Sequence, residues 1–317
     1  MSSPKRGTKS PGTRPRTAST RRPQARRRPS FLRRYAPWLL VLSGLAIAGL
    51  VTIVVSTRGG TDSTPDRPFV GGDLHSLVVD PTDGGRLYVG GHEGVATSAN
   101  GGRTWRQIET LEAADAMGWA FTEDLVLVGG HPGLRVSRDG GATFELQNET
   151  LPATDIHALG AGADVIYAAS PQVGVFVSTD AGGSWTIRTT QVGHGFMGRI
   201  LVDPEDSEHI LAPDMQNGAV ESLDGGRTWR ALGGVPGAMW VSWDPRNTNH
   251  VMASNTGSAA TTTDGGVTWR AVNVPPGASL VEISPEHPEV ILAAGLEGTS
   301  ARVWMSRDEG ATWTAPS

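Results

Sequence analysis

Two patterns of apolar and polar positions divide the chain. Between Tyr35 and Thr57 it runs for 23 residues without a charge, YAPWLLVLSGLAIAGLVTIVVST. A helix rising about 1.5 Å per residue would reach roughly 34 Å over that length, enough to cross a hydrocarbon layer of about 30 Å. Tyr35 and Trp38 at its start suit the membrane interface. The expectation is a transmembrane helix over 35–57. Its apolar run is too long for a cleaved signal and no A-x-A-like site follows Val55-Ser56-Thr57, which favours an uncleaved signal anchor. From Phe69 onward the pattern changes to short, alternating apolar runs punctuated by Gly, Asp-Pro and Ser-Pro. In the first of these, His75–Asp80 reads as a strand stopped at Pro81, and Arg86–Gly90 as the next.

One motif recurs through this second region. Its copies are SANGGRTW from Ser98, SRDGGATF from Ser137, STDAGGSW from Ser178, SLDGGRTW from Ser222, TTDGGVTW from Thr262 and SRDEGATW from Ser306. Successive copies lie 39, 41, 44, 40 and 44 residues apart, the size of a four-stranded propeller blade. Each blade reads as strands A, B and C, the motif, and a strand D opening at the motif's aromatic residue. Gly tolerates the positive φ of a tight turn, Asp and Ser/Thr bond turn amides, and Trp offers a packing plate. The spacing predicts an all-β, six-bladed β-propeller of four-stranded antiparallel blades over 69–317, with Phe69-Val70 closing the ring on the last blade.

The motif is similar to the Asp-box, or BNR, repeat, S-x-D-x-G-x-T-W, of sialidases, sortilin-type receptors and photosystem assembly factors. Its third position holds Asn100, Asp139, Asp180, Asp224, Asp264 and Asp308, and Phe144 replaces the second Trp. The resemblance implies a structural role for these residues, and membrane-anchored bacterial proteins of this kind often carry a glycosyl hydrolase label. Sialidase chemistry would also need a Tyr nucleophile and an Arg cluster. Tyr occurs only at 35, 88 and 167, and Arg199-Ile200 is followed by Leu201 rather than Pro.

Charge changes the picture when read by segment. The whole chain has a net charge of −5, but residues 1–34 hold twelve of the 27 Lys/Arg and no acid. The remainder has 15 Lys/Arg against 32 Asp/Glu, a net of −17. The expected order is a disordered basic cytoplasmic tail (1–34), the anchor (35–57), a linker (58–68) and an acidic propeller outside the cytoplasmic membrane. An acidic propeller is not expected to bind nucleic acid. The absence of Cys excludes thiolate zinc sites, iron–sulfur clusters and a cysteine nucleophile.

Aligned on their stop signals, the A strands open with His75, Met117, His157, Gly198 (preceded by Met197), Met239 and Ser279. The B–C connections add His92, His131 and Met215, and a D–A connection adds His194. Three blades share Asp-x-[His/Met]: Asp73/His75, Asp115/Met117 and Asp155/His157. His, Met and carboxylate without thiolate suit copper. Candidate metal ligands are therefore His75, Met117, His157, Met197, Met239, His92 and His131. The function expected is non-enzymatic binding through this face, of a metal, an exported protein or a glycan. The alternatives are a glycoside hydrolase using Asp73, Asp115 and Asp155, and an assembly scaffold anchored by Trp119, Phe196, Met239 and Trp240.

Overall fold

The computed structural model describes residues 67–316; the tail, the membrane segment and nearly all of the linker lie outside the described residues. Six sheets follow one another along the chain, antiparallel apart from one short parallel pairing between the third and fourth blades. Blade one has strands A (Ser76–Asp80), B (Asp83–Gly90), C (Val95–Ser98) and D (Arg106–Gln107). In blade two they are Gly118–Phe121, Val126–Gly130, Gly133–Ser137 and Glu145–Leu146. Blade three has Ala158–Ala161, Ile166–Ser170, Gly174–Ser178 and Thr186–Thr189. Blade four breaks strand A into Gly198–Arg199 and Leu201–Val202, then continues Ile210–Asp214, Gly218–Ser222 and Arg230–Gly233. Blade five has Trp240–Asp244, Asn247–Asn255, Ser258–Thr262 and Arg270–Val272. Blade six has three full strands, Ala278–Ile283, Ile291–Glu297 and Ser300–Ser306.

The repeat sets a constant register. The first residue of each motif opposes an apolar strand B residue: Leu87↔Ser98, Val126↔Ser137, Ile166↔Ser178, Ile210↔Ser222, Val251↔Thr262 and Ile291↔Ser306. In the third copy the Ser178 hydroxyl accepts the Gly182 N–H at 2.8 Å and donates to Asp180 Oδ1 at 2.8 Å. Asp180 also accepts the Ser184 N–H at 2.8 Å and the Ser184 hydroxyl at 2.6 Å. Asn100 preserves this turn by reversing one bond, its Nδ2 donating to Thr104 Oγ1 at 2.9 Å. Phe144 packs edge-on against Trp119 of its own blade, with ring centroids 6.3 Å apart.

The fourth strand of blade six is assembled from both ends of the described chain. Phe69 bridges Ser300 and Thr314 bridges Met305. The Val70 N–H bonds Thr299 O at 3.0 Å, and the Ala301 N–H bonds Pro68 O at 2.9 Å. This closes the ring as the sequence led us to expect. The inner strands approach closely: a Cβ on Gly118 would lie 2.6 Å from Leu159 N and 2.9 Å from Gly198 O. Gly198 pairs in parallel with Ala158, which explains the break in strand A of blade four.

Replacing Ser178 by Ala leaves the buried Gly182 amide without its acceptor. The expected cost is about 1–3 kcal/mol, read as a lower urea midpoint with unchanged slope.

Candidate functional site

The residue immediately before strand A is held at the same place in four blades. The N–H groups of His75, Met117, His157 and Met239 bond Gly90 O, Gly129 O, Ala169 O and Ser254 O, each at 2.9 Å. In blade four the equivalent donor is Met197, to Pro213 O at 3.3 Å; Gly198 is displaced into the parallel pairing. These residues open the face opposite the repeat turns. Two glycine pairs that the sequence reading passed over shape the approach, Gly90-Gly91 and Gly129-Gly130. A Cβ on Gly91 would stand 2.0 Å from Asp73 O, and one on Gly130 1.4 Å from Asp115 O. Any side chain there would push Asp73 or Asp115 off the ring mouth.

Four side chains converge at this mouth. His75 Nε2 lies 3.1 Å from His92 Nδ1, 3.2 Å from Asp115 Oδ1 and 3.8 Å from Asp73 Oδ2. His92 Nδ1 lies 2.9 Å from Asp73 Oδ2, and His92 Nε2 3.4 Å from Asp115 Oδ2. The two rings meet edge to face with centroids 4.4 Å apart. His75 is half-buried, and its Nδ1, itself buried, has no hydrogen-bond partner; Asp115 Oδ1, although near Nε2, receives no aligned hydrogen. Asp73, His75 and His92 could each give one donor atom to a common ion. Burial holds the His75 imidazole below its ordinary pKa. Asp115 and Asp73 oppose that shift, while His92 and His157 reinforce it. A neutral imidazole keeps a lone pair available for a ligand.

The remaining candidates divide. His157 pairs with its own Asp155, Nε2 to Oδ1 at 3.1 Å. Met117 is buried, while Met197 and Met239 are half-buried and His131 and Met215 exposed. His194 commits both ring nitrogens to backbone carbonyls, Pro171 O at 2.7 Å and Thr190 O at 3.1 Å. Three of the four expected partner anchors are core residues instead: Trp119, Trp240 and Phe196 are at most 1% exposed. Trp119 packs against Tyr88 and Phe144, Phe196 edge-on against Trp229, and Trp240 donates to Glu282.

The sequence reading also missed a buried ion pair that joins three blades. Glu282, on strand A of blade six, is fully buried and bonded by Arg199 of blade four and by Trp240 Nε1 of blade five at 2.8 Å. Desolvation pushes its carboxyl up to about 6, with Arg199 opposing. On the opposite face His209 bridges Asp203 Oδ2 at 2.8 Å and Glu221 Oε1 at 3.0 Å.

No protein-family model matches the chain, and no curated protein matches it in sequence. Similar solved structures share its fold. The GH74 xyloglucanase from Xanthomonas campestris is 17% identical with a TM-score of 0.55, covering 79% of this chain and 46% of that one. The chain thus spans less than half of the GH74 enzymes it matches. YCF48 from Cyanidioschyzon merolae is 16% identical with a TM-score of 0.52, covering 79% of this chain and 88% of that one. A chain of a nidogen/laminin complex is 12% identical with a TM-score of 0.55, covering 73% and 93%. At these identities the likeness establishes a β-propeller and nothing narrower.

The buried Arg199–Glu282 pair generates two expectations. Arg199→Met leaves a buried carboxylate unpaired and is expected to cost about 3–5 kcal/mol, most of it recovered by adding Glu282→Leu. Because the Glu282 carboxyl is raised from 4.5 to about 6, its favourable contribution is full below pH 4.5 and is lost as pH rises through about 6. Denaturant unfolding across that window checks the sign, and Glu282→Gln is expected to flatten the profile.

Proposed function

We propose that the propeller is a non-enzymatic binding module carrying one metal ion, copper in its divalent state, at the ring mouth. The observation that carries this reading is the convergence of His75 Nε2, His92 Nδ1 and Asp73 Oδ2 within 2.9–3.8 Å of one another. Donor bonds of about 2.0–2.1 Å imply separations of roughly 2.9 Å for cis positions of a square and 3.3 Å for a tetrahedron. The observed separations bracket both values. Two imidazoles and a carboxylate favour Cu(II) over Cu(I), and Asp115 is close enough to orient the rings. A bound ion at an otherwise acidic face would then present an open coordination position to an exported partner outside the cytoplasmic membrane.

The glycosidase alternative rests on the GH74 fold likeness. His92 lies between Asp73 and Asp115, with a ring nitrogen toward each. The space that a sugar and a water would need between an acid and a base is therefore occupied by imidazole. Protein recognition is compatible with the metal reading, since the solved neighbours include a chain from a protein–protein complex.

Titration of the full chain with Cu(II) is expected to show one equivalent bound, with two-nitrogen coupling in the electron paramagnetic resonance spectrum. His75→Ala with His92→Ala is expected to weaken binding by at least about 100-fold, while Met117→Leu leaves it unchanged. No stoichiometric binding, or equal binding by the histidine variant, would reject the proposal.

A further inference from the structure

Repetition allows each blade to be compared with its neighbours, and one cleft lacks what the others contain. Tyr88 and Tyr167 hold the same strand B position in blades one and three, one residue after the partner of the motif's Ser. Both are buried against the turn of the following blade: a Cβ on Gly141 would lie 2.5 Å from Tyr88 Oη, and one on Gly225 3.1 Å from Tyr167 Oη. Tyr167 donates its hydroxyl to Ser207 O at 2.9 Å. Ser207 lies on the A–B connection of blade four, residues 203–209. The matching connection of blade two is shorter, residues 122–125, and Tyr88 Oη has no hydrogen-bond partner although Tyr88 is 1% exposed. The Arg86 guanidinium lies close enough to donate to that oxygen, and its Nη1 donates to Gly140 O at 2.7 Å; being a donor only, it gives the Tyr88 O–H no acceptor.

A second comparison concerns the arginine that opens strand D. Arg230 pairs with Glu221, and Arg270 Nη2 lies 3.3 Å from Glu309 Oε2. Arg106 holds the same position, and among the described residues it has no carboxylate partner. Thr97 stands opposite it where Glu221 stands opposite Arg230. Gly140 takes the place in its turn that Glu309 takes in the last one. What remains is a cleft of about 360 Å³ lined by Arg86, Tyr88, Thr97, Thr104, Trp105 and Arg106. Asp139 also borders it, but its oxygens are engaged by the Thr143 and Ser137 hydroxyls and by the Ala142 and Thr143 amides. Asp83 touches only the far edge of Arg86, at 3.7 Å.

We propose that this cleft binds a small carboxylate, independently of the metal at the opposite face. The ligand's oxygens fill the role that Glu221 and Glu309 play in the other clefts, facing Arg106 and receiving the Tyr88 hydroxyl. Its apolar body lies against Trp105. Tyrosine and arginine donors with no acceptor of their own are the physical requirement for such a ligand.

Ligand-observed saturation-transfer NMR on the full chain tests this with benzoate, its neutral isostere benzamide, and acetate. Benzoate is expected to bind saturably with a Kd of about 1 mM, with benzamide and acetate each at least about tenfold weaker. Arg106→Gln, a surface change, is expected to weaken benzoate at least about tenfold. Thr97→Glu, which supplies an internal partner as blade four does, is expected to have the same effect at an unchanged melting temperature. Lack of saturable benzoate binding, equal binding of benzamide, or undiminished binding by both variants would overturn the proposal. Acetate binding as tightly as benzoate would overturn the placement of the ligand body on Trp105.

Discussion

The structure depends on one short-range constraint, the hydroxyl–carboxylate turn that closes each C–D hairpin. Ser or Thr accepts two turn amides, and the following Asp or Asn accepts a third together with the hydroxyl two residues before it. Both groups are local in sequence, so the turn needs no distant partner to define its shape. Once formed, it places the same residue of strand C opposite an apolar residue of strand B in every blade. A strand slipped by one position would carry its buried side chains to the wrong face. The turns therefore specify the register, and the register specifies which side chains meet between blades.

A frame repeated so closely makes departures informative. The pore mouth is one: a single backbone position presents His in blades one and three and Met in blades two and five. Histidine and carboxylate meet as a four-membered group where blade one adjoins blade two. Blade three carries its own separate pair, His157 with Asp155. The opposite face follows the same logic. Three equivalent arginines and two equivalent tyrosines share one geometry, yet among the described residues those of blade one lack internal acceptors. Length and composition of the adjoining turns, rather than the strands, create that difference.

Much of the architecture was legible in the residues. The motif and its spacing indicated six blades, and the missing last strand pointed to closure by Phe69-Val70. The histidines and acids of the mouth were legible as a column, because strand starts can be aligned on their stop signals. Their partition was not. Nothing in the spacing distinguishes His92, which reaches Asp73 and Asp115, from His131, which among the described residues has no carboxylate partner. Trp119, Trp240 and Phe196 are likewise near a strand start in sequence, and only packing shows that they are core.

Sequence by itself determined the local chemistry: the turns, the strand period, the acidic balance after residue 34 and the absence of thiolate. These follow from interactions spanning a few residues or from composition. Tertiary structure alone decided the contacts across blades. Glu282 meets Arg199 and Trp240 from three separate blades, and His75 meets Asp115 across forty residues of chain. Such pairings arise when the ring closes and the inner strands are pressed together, so their distances are set by the radius of the ring rather than by any local pattern. The same closure buries one nitrogen of His75 and the hydroxyl of Tyr88 without partners, an outcome that no local pattern foretells.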